Sequence, residues 1–120
     1  MKPILSIVIP TFNRCNYLKE CLKSITECSI SSQKKIEVII CDNFSKDSTQ
    51  LVIKDFTESN SYINKIKVIS TKKELPAQQN WENGINACNT SRVLLLSDDD
   101  KIIYKGLDKL LKEELFLNYD

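Results

Sequence analysis

Residues 4–14 read ILSIVIPTFNR, and the rest of the chain can be read outward from them. Ile4 to Ile9 is an almost unbroken apolar run rich in β-branched residues, where a half-exposed strand would alternate apolar with polar. It predicts a strand buried on both faces, as in a parallel sheet covered by helices. Pro10 closes the run, and the polar loop Thr11-Phe12-Asn13-Arg14 follows. Leu18, Cys21, Leu22 and Ile25 then recur at helical spacing and predict a helix over 15–28, ended by the polar segment 29–35. Residues 36–47, IEVIICDNFSKD, give a second buried strand to Cys41 and a second polar loop from Asp42. Asp47 or Ser48 is placed to cap a helix whose apolar face is Leu51, Val52, Ile53 and Phe56. Ile66–Ile69 predicts a third strand, and 77–88 a helix carrying Trp81, Ile85 and Cys88. Val93–Leu96 predicts a fourth strand, stopped at Ser97-Asp98-Asp99-Asp100. Leu107, Leu110, Leu111 and Leu115 give a last helical stripe.

Strands that alternate with amphipathic helices predict an α/β fold with a mostly parallel four-stranded sheet, as one domain over 1–120. Crossovers of one hand bring all the carboxyl ends of the strands to one edge. Polar residues gather just beyond those ends: 11–14, 42–47, 72–74 and 98–100. In open α/β sheets that edge is where ligands bind.

Composition narrows the function. With 17 Lys+Arg against 16 Asp+Glu, the chain is no broadly basic nucleic-acid binder. It contains no His, which removes Ser-His-Asp and Cys-His nucleophile systems and every His-containing zinc site. The five Cys form no C-x-x-C pair, and Cys21, Cys28 and Cys41 fall on apolar positions. They read as free buried thiols, which points to a reducing cytoplasm. No apolar run approaches the ~20 residues of a membrane span. Lys2 and Pro3 precede only a short apolar stretch, so no secretory leader is expected. The two Gly, Gly84 and Gly106, build neither G-x-G-x-x-G nor a Walker loop.

Asp98, Asp99 and Asp100 are three adjacent carboxylates straight after an apolar strand. A Mg²⁺ or Mn²⁺ ion would relieve their repulsion and could neutralise a diphosphate; a solvated turn capping the next helix is the other reading. Asp42 and Asn43 could meet a base N–H or ribose hydroxyl, or simply form an Asx-turn. Thr11 and Asn13 offer polar groups to a nucleotide, Phe12 either a ring face or core packing, and Arg14 either a partner for phosphate or, as for most such arginines, a solvated side chain. Lys72 and Lys73 read as a solvated pair rather than as charge for the pocket, and Trp81 as core rather than a surface for sugar stacking.

Several blocks together resemble family 2 glycosyltransferases. Ser6–Arg14 resembles their opening strand and loop, and Glu37–Thr49 their second strand with its D-[DN]-x-S-x-D-x-T signature. Asn80–Ile85 resembles a helix with an N-x-x-x-G pattern, and Leu94–Asp100 the strand ending in a metal-binding D-x-D motif. The resemblance implies a Rossmann-like GT-A fold and a UDP-, dTDP- or GDP-sugar donor. It also implies a Mn²⁺ or Mg²⁺ ion and inverting transfer to a saccharide or lipid-linked acceptor, in the cytoplasm or at the inner membrane face. By position, Pro10, Thr11, Phe12 and Asn13 line the nucleotide, Asp42 and Asn43 lie near base and ribose, and Asp99 ligates the metal beside Asp98 and Asp100. Ser97 and Asn43 stand where many relatives carry Asp, which leaves the ligating pair and the base open. Such relatives are more than twice as long. The acceptor site and general base are therefore expected outside this chain, which by itself should be inactive. Asp108, Glu113 and Glu114 read as a solvated face, and Leu115-Phe116-Leu117 as a surface for a missing segment or self-association. A non-catalytic α/β assembly module is the alternative. A phosphoacceptor receiver domain does not fit, because the first strand ends in Thr11-Phe12-Asn13 rather than paired acids.

Overall fold

A computed structural model describes residues 1–112. The elements follow in the order β1 (Leu5–Thr11), α1 (Cys15–Thr26), α2 (Ile30–Gln33), β2 (Ile36–Asp42), α3 (Thr49–Ser59), β3 (Lys65–Ser70), α4 (Ala77–Asn86), β4 (Val93–Leu95) and α5 (Tyr104–Lys112). All neighbouring strands pair in parallel, in the order β3-β2-β1-β4. β1 is thus flanked by β2 on one side and β4 on the other, and the strand order reverses there.

The continuous apolar runs are explained by two-sided burial. Ile7, Ile9, Val38 and Ile40 point to one face, against Leu18, Leu22 and Ile25 of α1, Ile53 and Phe56 of α3, and Leu107 and Leu111 of α5. Val8, Ile39 and Cys41 point to the other face, against Ile85 of α4. Alternation along each strand is present, but both classes of side chain are covered. Cys21, Cys28 and Cys41 are buried free thiols. Burial, reinforced by Asp98, Asp100 and Asp99, pushes Cys21 up to about 12, so it serves as a small hydrophobe.

Gly84 lets α4 lie directly on the sheet. A Cβ there would meet Cys41 Sγ and would come within 2.6 Å of Val8 Cγ1. The helix is fastened at both ends. Asn80 Nδ2 donates to Cys41 O (3.0 Å), and Lys67 Nζ to Ala87 O (2.7 Å). Below it, the fully buried Glu37 carboxylate accepts from Ser6 Oγ, Asn89 N and Asn89 Nδ2, with Lys67 Nζ 3.9 Å away.

Three expectations change. The polar segment 29–35 holds the short helix α2, capped by Ser29, whose Oγ accepts from Ser32 N. Leu51 is exposed, because it lies about 200° around α3 from Ile53; Ile53 and Phe56 are buried and Val52 packs partly against the same core. Asp108 is no solvated acid. Its Oδ1 accepts from Ser29 N and Ser29 Oγ (3.1 Å each) and from Ser32 Oγ, tying α5 to α2. Burial would raise its pKa, but these donors and Lys112 outweigh that and hold it below the usual carboxylate range. An Asp108→Ala variant should lose about 1–2 kcal/mol of stability, read as a lower urea midpoint at neutral pH. An unchanged midpoint would mean that α5 docks through Leu107 and Leu111 alone. Glu113, Glu114 and Leu115-Phe116-Leu117 lie outside the described residues.

Candidate functional site

The carboxyl ends of β1, β2 and β4 open on a crevice of about 320 Å³ at the point where the strand order reverses. Ligands of open α/β sheets bind at such a switch point. A larger groove of about 410 Å³ runs between α1 and α3, but it lies away from the strand ends and is mostly apolar.

The two strands flanking the switch point are joined by Thr11, whose Oγ1 donates to Asp98 Oδ2 at 2.9 Å. Asp98 is buried, and its Oδ1 faces Arg14 Nη1 at 3.2 Å. Burial raises the Asp98 pKa; the Thr11 hydroxyl and the Arg14 guanidinium work against that, and Asp99 adds to it. Asp99 is exposed, accepts from Ser97 Oγ (2.5 Å), and meets Arg14 Nη2 with its Oδ2 at 3.3 Å. The Ser97 hydroxyl, with help from Arg14, holds its carboxyl below the usual range. Asp100 is exposed, and its N–H closes a turn onto Ser97 O (3.0 Å). Within the triplet, Asp98 and Asp99 share one positive group, the Arg14 guanidinium, while Asp100 lies beside Asp99 along a neighbouring groove. Among the described residues no three acids converge into a metal cluster. Two carboxylate oxygens aimed at one cation still fit Mg²⁺ or Mn²⁺. Mg²⁺ in particular is commonly held by one or two carboxylates plus substrate phosphates.

The other predicted residues divide between lining and scaffolding. Pro10 and Phe12 line the crevice, with Phe12 exposed rather than packed in the core. Asn13 is a scaffold residue. It adopts a left-handed φ of 51°, its N–H donates to Ser45 Oγ (2.9 Å), and its Oδ1 accepts from Lys46 N (2.7 Å). Phe44, at φ 61°, makes the matching turn in the second loop. Asp47 completes the join by accepting from Cys15 N (3.1 Å), and it also caps α3 through Thr49 N (2.9 Å). Burial opposes its ionisation, but the Thr49 and Cys15 donors outweigh that and hold the carboxyl at about 2. Asn43 lines the crevice with both ends of its amide engaged: Nδ2 donates to Leu75 O and Oδ1 accepts from Leu75 N, each at 2.8 Å. Asp42 is fully buried; Oδ1 accepts from Ser45 N (3.1 Å), and Oδ2 has no partner. Lys72 and Lys73 are exposed, as expected.

Sequence reading missed two contributors, both on α4. Trp81, expected in the core, is half-buried and lines the crevice together with Phe12. Asn80 is buried with its Oδ1 unpaired and lines the crevice. A signal for Asn80 was available. Asn80 and Gly84 are spaced i, i+4, so the face that approaches the sheet at Gly84 turns Asn80 towards the strand ends. The result is a pocket lined by two aromatic rings, the unpaired Asn80 oxygen and Asp98, with the exposed Asp99 carboxylate beside it.

Comparison with known proteins bears on the family and the fold. Residues 6–116 match the family described as Glycosyl transferase family 2. The chain is 31% identical, over 92% of its length, to the GalNAc(5)-diNAcBac-PP-undecaprenol beta-1,3-glucosyltransferase of Campylobacter jejuni, covering 34% of that protein. It is 30% identical, over 81% of its length, to the minor teichoic acid biosynthesis protein GgaA of Bacillus subtilis, covering 21% of it. It thus spans about a third or less of these relatives' length. Two solved structures share the fold. The mannosyltransferase PcManGT of Pyrobaculum calidifontis, in complex with GDP-Man and Mn²⁺, superposes with a TM-score of 0.80 at 18% identity, over 93% of this chain and 32% of its own. S. aureus TarS in complex with UDP gives 0.77 at 20% identity, over 90% of this chain and 31% of its own. On the match that spans nearly all of its residues, the chain belongs to glycosyl transferase family 2.

Proposed function

We propose that these residues form the nucleotide-sugar-binding part of a glycosyltransferase. It would pass a sugar from a nucleoside-diphosphate donor, with inversion, to a saccharide or lipid-linked acceptor in cell-envelope glycan assembly. The observation that carries this is the meeting, at one switch point, of the Asp98–Asp99 pair with the unpaired Asn80 oxygen that lines the crevice. The first suits a metal-bound diphosphate and the second suits the N–H donors of a base. Phe12 and Trp81 offer ring faces on which a base or sugar can lie. The relatives' names support the envelope role, and the fold neighbours that bind UDP, and GDP-Man with Mn²⁺, support the donor class.

Asp98 and Asp99 would hold the ion, which when bound supplies neutralising charge to the leaving diphosphate. Thr11 fixes the Asp98 carboxylate through its hydroxyl, and Ser97 fixes Asp99 in the same way. The acceptor site and general base we place outside these residues. Relatives about three times as long support this, and so does Asp108, which is occupied in holding α2. No helix of the described residues is long and apolar enough to cross a membrane.

Thermal shift tests the donor reading. At about a hundred times Kd, UDP or GDP with Mn²⁺ should raise Tm by on the order of 10 °C. Asp99→Ala should remove the Mn²⁺-dependent part of that shift. No response to UDP, GDP or dTDP with Mn²⁺ would sink the reading. A full response in the variant would move the metal elsewhere. Transfer of sugar by the 120 residues alone would refute the placement of the base.

A further inference from the structure

Arg14 reaches from the loop after β1 to the loop after β4. Its guanidinium meets Asp98 Oδ1 at 3.2 Å and Asp99 Oδ2 at 3.3 Å, and its Cζ lies 4.9 Å from the centre of the Tyr17 ring on α1. Two carboxylates and an aromatic face thus hold one cation. These are the same two oxygens that suit a divalent ion. A guanidinium and a divalent ion cannot both occupy that space, because like charges within a few ångströms repel strongly in a half-buried site. The Arg14 side chain is 43% exposed, so it has room to leave. If it leaves, the nearest group that could take it is the diphosphate, whose charge one divalent ion neutralises only in part. Guanidinium pairs well with phosphate oxygens in a bidentate manner.

We propose that Arg14 is a resident counter-ion of the Asp98–Asp99 pair, displaced when metal and nucleoside diphosphate arrive together and then transferred to the diphosphate. The proposal rests on the donor-site reading above. On this account the metal alone competes with Arg14 and binds weakly. The metal with its nucleotide binds well, because the diphosphate gives Arg14 a new partner. Coupling of this kind is reciprocal, so Mn²⁺ tightens the nucleotide by the factor with which the nucleotide tightens Mn²⁺. Arg14 becomes a positioning and selectivity residue, favouring the paired ligands over stray divalent ions.

The test is a Mn²⁺ titration of the 120-residue chain, followed by the electron paramagnetic resonance signal of free Mn²⁺, with and without UDP or GDP. Arg14→Gln should bind Mn²⁺ alone roughly three- to tenfold more tightly than the parent, the scale set by two partly exposed ion pairs. It should also lose most of the nucleotide–Mn²⁺ coupling, while Arg14→Lys, which keeps the charge, stays close to the parent. A melt by circular dichroism confirms that each variant is folded. If Arg14→Gln binds Mn²⁺ no more tightly, while the parent still binds Mn²⁺ with nucleotide, the counter-ion role is wrong and the donor site stands. If Arg14→Lys tightens as much as Arg14→Gln, charge is not the cause and the proposal fails. If the parent binds no Mn²⁺ with either nucleotide, the donor-site reading fails and takes the proposal with it; if Asp99→Asn leaves that binding intact, the metal lies elsewhere and only the counter-ion role falls.

Discussion

Gly84→Ala lowers the melting temperature by on the order of 10 °C, the shift that about 2 kcal/mol gives a domain of this size. Two effects of opposite sign meet at this position. Alanine is the better helix former by about 1 kcal/mol, which favours the variant. Against that, the new Cβ strikes Cys41 Sγ and comes within 2.6 Å of Val8 Cγ1, and both neighbours are fully buried. Val8 is β-branched and held in the sheet, so it cannot rotate away. Overpacking of this kind costs about 1–3 kcal/mol, and two simultaneous clashes place it at the upper end. The helix must lift, and because α4 carries Asn80 and Trp81, the crevice changes with it. Gly84→Val should be worse still, with little folded protein left at 37 °C. Scanning calorimetry decides the matter: an alanine variant as stable as the parent would show that α4 does not bear on β1 and β2 as described.

Glu37→Gln is the second large effect, a loss of about 2–3 kcal/mol at neutral pH. The carboxylate is fully buried under α4, with donors from Ser6 and Asn89 on it and the Lys67 ammonium nearby. An amide of the same shape brings its own N–H₂ among those donors and leaves Lys67 without its counter-charge. Burial by itself would raise the Glu37 pKa, but the Ser6 hydroxyl, the Asn89 N–H groups and Lys67 more than offset it, so the carboxyl sits below its usual value. The sign of the pH dependence follows. A depressed folded pKa stabilises the fold above the unfolded value of about 4.3, and that contribution is lost as pH falls through the folded value. The parent should therefore lose stability below about pH 4.3, and the variant, already weaker at pH 7, should fall less steeply. Asp47, held at about 2, and Asp108 keep part of the acid limb in both proteins. Parallel Tm-against-pH curves for the two would count against an ionised Glu37.

The strands and their alternation with helices are legible because a strand covered on both faces has to be apolar throughout, and ILSIVI and IEVIIC satisfy that with few exceptions. Glu37 is one of those exceptions, and its partners Asn89 and Lys67 are too distant in sequence to be seen from the pattern. The same limit hid Asp108: helical periodicity says which side of α5 is apolar, but not that Ser29 and Ser32 wait beside its polar edge. α2 escaped notice because four residues are too few for any period, and its cap and its tie to Asp108 do the work of propensity. The places of Asp98 and Asp42 just beyond or at the ends of buried strands are legible, because each apolar run stops at or just before an acid. What the pattern does not show is that Asn13 ties its backbone N–H and its Oδ1 to the neighbouring loop, because Ser45 and Lys46 are more than thirty residues away. Trp81 was misplaced because an apolar residue on a helix reads as core, whereas the first turns of α4 overhang the sheet edge and face the crevice.

That neighbouring loop has a further consequence. Asn13 bonds both Ser45 and Lys46, Asp47 bonds Cys15, and the left-handed turns at Asn13 and Phe44 make those bonds possible. The loops after β1 and β2 are therefore one mechanical part supplied by two stretches of sequence. A homologue's first loop grafted alone would arrive without its fastenings, and so would its second. Any exchange of segments between members of this family therefore has to move 11–15 and 42–49 as a pair.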